Sequence, residues 1–220
     1  MFDTRIRAAL APGLDAVGAR LATAGVSPLA VTAAGALAGV GACVSAAFAL
    51  WPLAAVLWLL NRALDGLDGP VARRRGATDL GGFLDIVADF SVYAGFVVGV
   101  AIARPEARLA CLALLTAYYI SGTAFLALSS LQEKRAVAGG DGRSLRFVGG
   151  LAEGAETVLV YLLFCLLPGH AELVAWCFTA AVAITAVQRV VTGVRVLRAP
   201  AVPPAPPRRS TDPTHPYRPA

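Results

Sequence analysis

Asp65-Gly-Leu-Asp68-Gly69-Pro-Val-Ala72-Arg73, followed by Gly81-Gly-Phe-Leu-Asp85-Ile-Val-Ala-Asp89, sets four carboxylates into an otherwise oily chain. Asp65 and Asp68 are three residues apart and Asp85 and Asp89 four apart, so on helices each pair shares one face. Four anions converging near a membrane would repel one another and lose hydration unless cations neutralise them. A divalent-metal site answers that need, and an all-oxygen ligand set favours magnesium or manganese over zinc. A run of loop charges would explain two helical carboxylates. It does not explain four with interleaved glycines and an arginine.

Working outward, the chain reads as a membrane protein. Its 220 residues are 57% hydrophobic and 15% charged, with mean hydropathy +0.68. Apolar stretches fall near 29–50, 52–64, 86–103, 107–128, 157–167 and 171–194, with Pro28, Pro52, Pro105 and Pro168 at starts or turns. A span needs about 20 residues, so the shorter runs must extend through polar positions. The second continues into Asp65–Arg73, the third begins near Leu80, and the fifth starts near Phe147 with Glu153 and Glu156 on it. The fold class expected is all-α and integral to the membrane, with six transmembrane helices.

Charge placement orients those helices. Arg5, Arg7 and Arg20 precede the first span, and Arg73–Arg75 lie between the second and third. Lys134, Arg135, Arg143 and Arg146 follow the fourth, Arg189 lies near the end of the sixth, and Arg195, Arg198, Arg208, Arg209 and Arg218 come after it. Only Arg104 and Arg108 fall on the other side. The positive-inside rule then puts both termini and all four aspartates on the cytoplasmic side of a bacterial-type cytoplasmic membrane.

Three regions follow. Residues 1–25 form an N-terminal interfacial segment, in which Ile6, Leu10, Leu14, Val17 and Leu21 recur at helical steps and Pro12-Gly13 breaks or kinks the helix. Asp15 and Pro12-Gly13 argue against a cleaved signal peptide. Residues 26–198 form the six-helix domain. Residues 199–220 hold eight of the fourteen prolines and read as a disordered basic tail that touches anionic lipid. Cys43, Cys111, Cys165 and Cys177 lie in apolar segments without metal or disulfide spacing and read as packing residues. His170 and His215 stand away from the carboxylates. There is no P-loop or nucleophile elbow, and no nucleic-acid partner is expected.

The pattern resembles the CDP-alcohol phosphatidyltransferase family, whose motif is D-x-x-D-G-x-x-A-R, a short gap, then G-x-x-x-D-x-x-x-D. Asp65, Asp68, Gly69, Ala72, Arg73, Gly81, Asp85 and Asp89 meet every fixed position within 25 residues. The resemblance implies transfer of a phosphatidyl group from CDP-diacylglycerol to a small alcohol, with release of CMP, by a homodimer working on membrane lipid. It implies two divalent ions, Mg2+ or Mn2+, held by Asp65, Asp68, Asp85 and Asp89. Asp89 matches the family's general base and also touches a metal. Thr32 and Thr78 match positions near the nucleotide.

Gly69 and Ala72 share the helix face of Asp65, and side chains that small let a cytidine and its phosphates approach the backbone. Gly81 gives the same clearance one turn before Asp85, and Arg73 offers a planar fork for phosphate. Users of phosphorylated acceptors in this family generally carry basic residues on the fourth helix. Here that helix offers Thr123 and Ser129 instead, which weakens a phosphorylated acceptor and leaves room for a neutral or zwitterionic alcohol, with Arg143 and Arg146 in the loop beyond it. Glycerol 3-phosphate, inositol or its phosphate, serine and choline all stay open as acceptors. Arg62 is expected to face inward and pair with Asp65, Glu153 or Glu156. Two other classes compete. A membrane prenyltransferase would have more helices and paired aspartate motifs without G-x-x-A-R. A divalent-cation transporter would spread its carboxylates toward the bilayer midplane and keep arginines away from them.

Overall fold

The computed structural model describes the backbone of residues 2–139 and 154–198, and the side chains of residues 9–135 and 154–198. Seven α-helices and two 3-10 turns account for the regular structure among the described residues. They are α1 (Phe2–Thr23), α2 (Pro28–Ala47), α3 (Trp51–Arg75), α4 (Asp79–Ala103), α5 (Arg108–Gly139), α6 (Gly154–Leu166) and α7 (Ala171–Arg198). The fold is all-α, as expected. Four stretches are long and apolar enough to cross a membrane: Pro28–Ala47, Asp79–Ala103, Pro105–Arg135 and Pro168–Arg198. The charges on α3 and the 13 described residues of α6 leave those two outside that group.

Local chemistry explains where the helices begin. Ser27 caps α2 by accepting from the Ala30 amide at 3.1 Å, with Pro28 at the first helical position. Thr78 caps α4 in the same way, accepting from the Gly81 amide at 3.1 Å. Two expectations change. Of the break or kink expected at Pro12-Gly13, the break is absent, and α1 runs on through Pro12. Residues 9–13 are exposed, so water can satisfy the carbonyl that a proline frees. α5 continues past Lys134 and Arg135, because Gln132-Glu133-Lys134-Arg135-Ala136 are all helix formers and no glycine intervenes before Gly139. Arg135 is held there by bonds to the α7 carbonyls of Val196 (3.1 Å) and Leu197 (2.6 Å).

Lipid is as apolar as leucine, so close packing of small residues must hold such helices together. α2 supplies Ala38, Gly39, Ala42 and Ala46, and α4 answers with Gly95 and Gly99. A Cβ on Gly99 would lie 2.6 Å from the Cys43 carbonyl oxygen, so only glycine lets these two backbones approach. α1 docks on α3 through a similar contact, where a Cβ on Gly18 would meet Pro70 Cβ at 2.6 Å. Trp58, Phe96, Tyr161 and Phe164 fill the centre with no exposure. Leu37 (74% exposed) and Leu109 (69%) are among many large apolar side chains facing outward, the arrangement a lipid environment requires. Residues 140–153, with Arg143, Arg146, Glu153 and the expected helix start near Phe147, and residues 199–220 lie outside the described residues.

Candidate active site

The polar end of the α2–α3–α4 packing carries the motif. Asp65 and Asp68 come from α3, and Asp85 and Asp89 from α4. Asp65, Asp68 and Asp85 each place a carboxylate oxygen within 4.8 Å of the others, and all three are half-buried. Three hard oxygen donors at that separation fit a magnesium or manganese ion, so the donor set passes the chemical test. Thr32 on α2 donates to Asp68 Oδ2 at 3.2 Å, which steadies one carboxylate from a third helix.

Asp89 keeps different company. Arg62 Nη2 donates to its Oδ1 at 2.7 Å, while Nη1 reaches Asp65 at 3.4 Å. The inward-facing Arg62 expected from sequence is therefore present, and its second carboxylate is Asp89. Asn61 and Tyr93 complete the surroundings of Arg62 and were missed in the sequence. An asparagine and a tyrosine in apolar helices carry no motif that distinguishes them from packing residues.

Two voids open along the helices that carry the aspartates. A groove of about 520 Å³ is lined by Thr32, Gly69, Ala72, Thr78, Gly81 and Arg75, with Asp68 and Asp85 at its edge. Every residue expected to meet the CDP-lipid lines it except Arg73, which is 64% exposed and bonded to Asp15 on α1 at 2.9 Å. Thr78 combines its place in the groove with its capping role.

A second cavity of about 620 Å³ opens between α4, α5, α6 and α7, on the side where Phe90 and Tyr93 follow Asp89 along α4. Thr123, Ser121, Tyr118 and Thr157 give it hydroxyl groups and Arg189 a cation. Ser129, expected beside Thr123, is not among the lining residues. Arg189 donates from Nη1 to the Ser121 hydroxyl at 2.9 Å and lies over the Phe125 ring at 5.2 Å. The sequence presented it as one more orienting charge near a helix end.

The CDP-alcohol phosphatidyltransferase profile matches residues 26–188, most of the chain. This chain belongs to that family. It is accordingly an enzyme of the CDP-alcohol phosphatidyltransferase class, and the prenyltransferase and transporter readings are not favoured. Inner membrane protein YnjF of Escherichia coli is 39% identical over 201 residues, covering 90% of this chain and 98% of that protein. Among solved structures, the phosphatidylinositol phosphate synthase of Mycobacterium tuberculosis with CDP-DAG bound aligns with a TM-score of 0.64. It is 22% identical, and the match covers 82% of this chain and 92% of that one. The same synthase in complex with manganese and citrate also aligns at 0.64, with 24% identity and coverage of 82% and 88%. At those identities the likeness establishes the fold alone.

Proposed function

We propose that this phosphatidyltransferase makes phospholipid by moving the phosphatidyl group of CDP-diacylglycerol onto the hydroxyl of a small polar alcohol, releasing CMP. The observation that carries the reading is the clustered oxygens of Asp65, Asp68 and Asp85 beside a groove floored by small residues, with a hydroxyl-lined cavity opening further along α4 at Phe90 and Tyr93. The CDP-DAG and manganese bound by the Mycobacterium tuberculosis synthase support the donor and the metal class. Asp65, Asp68 and Asp85, with Asp89 as an additional ligand, would hold two magnesium or manganese ions. Bound there, such ions neutralise the pyrophosphate and the departing CMP.

This chain's own residues do the rest. Gly69, Ala72 and Gly81 clear space for the nucleotide and its phosphates, with Thr32 and Thr78 beside them and Arg75 on the wall. Arg73 swings from Asp15 to reach a phosphate, because an exposed ion pair costs little to break. Asp89 accepts the acceptor hydroxyl's proton. The alcohol oxygen bonds to the lipid-linked phosphorus, the bond from that phosphorus to the CMP oxygen breaks, and CMP leaves with the bonding electrons.

The acceptor enters the cavity of Thr123 and Arg189. A cation there favours acceptors bearing a phosphate or carboxylate over choline. Helices α2 to α7 each cross the bilayer once, α1 lies in the interface, and the termini and aspartates face the cytoplasm, as the basic residues dictate. Two copies form the homodimer that the family resemblance implies.

Incubating purified protein with CDP-diacylglycerol, manganese or magnesium, and each candidate alcohol in turn tests the reading through CMP release. Release with serine, glycerol 3-phosphate or inositol phosphate, abolished by EDTA and restored by either metal, is the expected result. No release with any alcohol would overturn the substrate assignment, and full turnover in metal-free buffer would overturn the metal site.

A further inference from the structure

A guanidinium inside a carboxylate site needs its own account. Arg62 lies one turn before Asp65 on α3, with its side chain 11% exposed. A cation so buried in a membrane helix is costly unless it is fully engaged, and Arg62 is engaged on every side. Its Nε donates to Asn61 Oδ1 at 2.8 Å, and Asn61 is pinned in turn by donating to the Gly35 carbonyl on α2 at 2.8 Å. The Trp58 and Tyr93 rings, edge to face with each other, have their centroids 4.8 and 4.9 Å from the guanidinium carbon. Nη1 donates to the Tyr93 hydroxyl at 2.7 Å, and Nη2 to Asp89 Oδ1 at 2.7 Å. The main chain of α4 is tied to α6 at this point, where the Tyr93 carbonyl accepts from the Tyr161 hydroxyl at 2.8 Å.

The four aspartates are thus divided. Three cluster with one another, and the fourth takes the shorter bond of Arg62 through one oxygen at 2.7 Å, while the other arm of the guanidinium reaches Asp65 in the cluster at 3.4 Å. We propose that Arg62 is a positioning residue for the transfer reaction. It fixes Asp89 by Oδ1 so that Oδ2 is presented between the metal-ligating cluster and the acceptor cavity, and the Tyr93 bond ties that aim to the cavity wall. The inference rests on reading Asp89 as the base. Lysine cannot substitute, because an ammonium offers no planar fork to hold Asn61, Asp89 and Tyr93 together. The same positive charge opposes divalent cations. Its removal therefore tightens metal binding while slowing turnover, a split that a purely structural residue would not produce.

The test compares Arg62→Gln, Arg62→Lys, Tyr93→Phe and Asp89→Asn for turnover, for Mn2+ affinity by electron paramagnetic resonance, and for CDP affinity by calorimetry. In Arg62→Gln, kcat falls by about 100-fold, the scale of a misaimed base, while Mn2+ binds about threefold or more tightly. Arg62→Lys keeps native Mn2+ affinity and still loses about tenfold or more in kcat. Tyr93→Phe loses several-fold in kcat with CDP affinity unchanged. Native kcat in Arg62→Lys, or parallel losses of Mn2+ affinity and turnover in Arg62→Gln, overturns the proposal. Should Arg62→Gln fail to fold, Arg62→Lys and Tyr93→Phe decide the question in its place. Normal turnover in Asp89→Asn sinks the base assignment itself. An inactive Asp89→Asn beside a fully active Arg62→Lys sinks only the role of Arg62.

Discussion

Asp85 and Asp89 stand on successive turns of α4 yet are set up for different work. Asp85 shares space with Asp65 and Asp68, whereas Asp89 is bonded to Arg62. Asn at position 89 keeps the oxygen that Arg62 holds and loses the ability to take a proton. Asp89→Asn is therefore expected to lower kcat by roughly 10²–10⁴-fold, with CDP affinity within about threefold of native. Asp85→Asn should instead weaken Mn2+ binding, because it removes one of three clustered donors. Paired kinetics and metal titration of the two variants check the division. Gly69 gives a steric counterpart. A Cβ there meets only Arg73 Nη1 at 3.6 Å, so alanine fits, but the longer leucine side chain would project into the groove. Gly69→Leu is expected to raise the CDP-lipid KM by about tenfold or more, the scale of one well-placed phosphate contact, with unfolding temperature unchanged. A native KM would move the donor site elsewhere.

At the scale of the helix, what could be read in advance depended on whether a residue's chemistry showed in its spacing. The three- and four-residue intervals in the motif forced Asp65–Arg73 and Asp85–Asp89 onto helices, and α3 and α4 carry them so. The end of α5 was harder to read, because Lys134 and Arg135 look alike in a loop and in a helix that projects beyond lipid. Arg189 was hidden for a related reason. A cation near a helix end is expected from orientation alone, and only the packing of α5 against α7 turns it into the cavity. Asn61 and Tyr93 owe their importance wholly to tertiary contact. The small residues, by contrast, invite a direct test. Gly99→Ala must push α4 from α2, since its Cβ would lie 2.6 Å from backbone, and a loss of about 1–3 kcal/mol is expected. Gly13→Ala, whose Cβ meets nothing within 4 Å, should cost nothing. Thermal unfolding in detergent distinguishes them, and equal melting temperatures would refute the close α2–α4 contact.

For the whole molecule, the decisive question is which side of the membrane the aspartates face. Arg73, Arg74 and Arg75 close α3 beside the groove, so the site and a dense basic cluster must share a side. At the other end, Arg104 is paired with Glu106 at 2.7 Å, and Arg108 donates to the Ala101 carbonyl at 3.2 Å. Glu106, together with Glu172 in the first turn of α7, matches those two arginines, so that end carries little net positive charge. The asymmetry is the one that the proposed cytoplasmic groove requires, from which a soluble CMP product would be released. Single cysteines test this without any need for activity. Ala77 is an exposed position between α3 and α4. It is a better site than its neighbour Gly76, whose φ of +101° suits glycine alone. Gly169, in the turn before α7, is exposed and a Cβ there meets nothing within 4 Å. The native thiols need replacing first, Cys177 above all because it is exposed. In that background Ala77→Cys should react with an impermeant maleimide only from the cytoplasmic side, and Gly169→Cys only from the opposite side. Labelling of both from one side would mean an even number of crossings between them instead of three. That outcome would dismantle the six-span arrangement, and labelling of Ala77→Cys from outside would move the aspartates away from the cytoplasm.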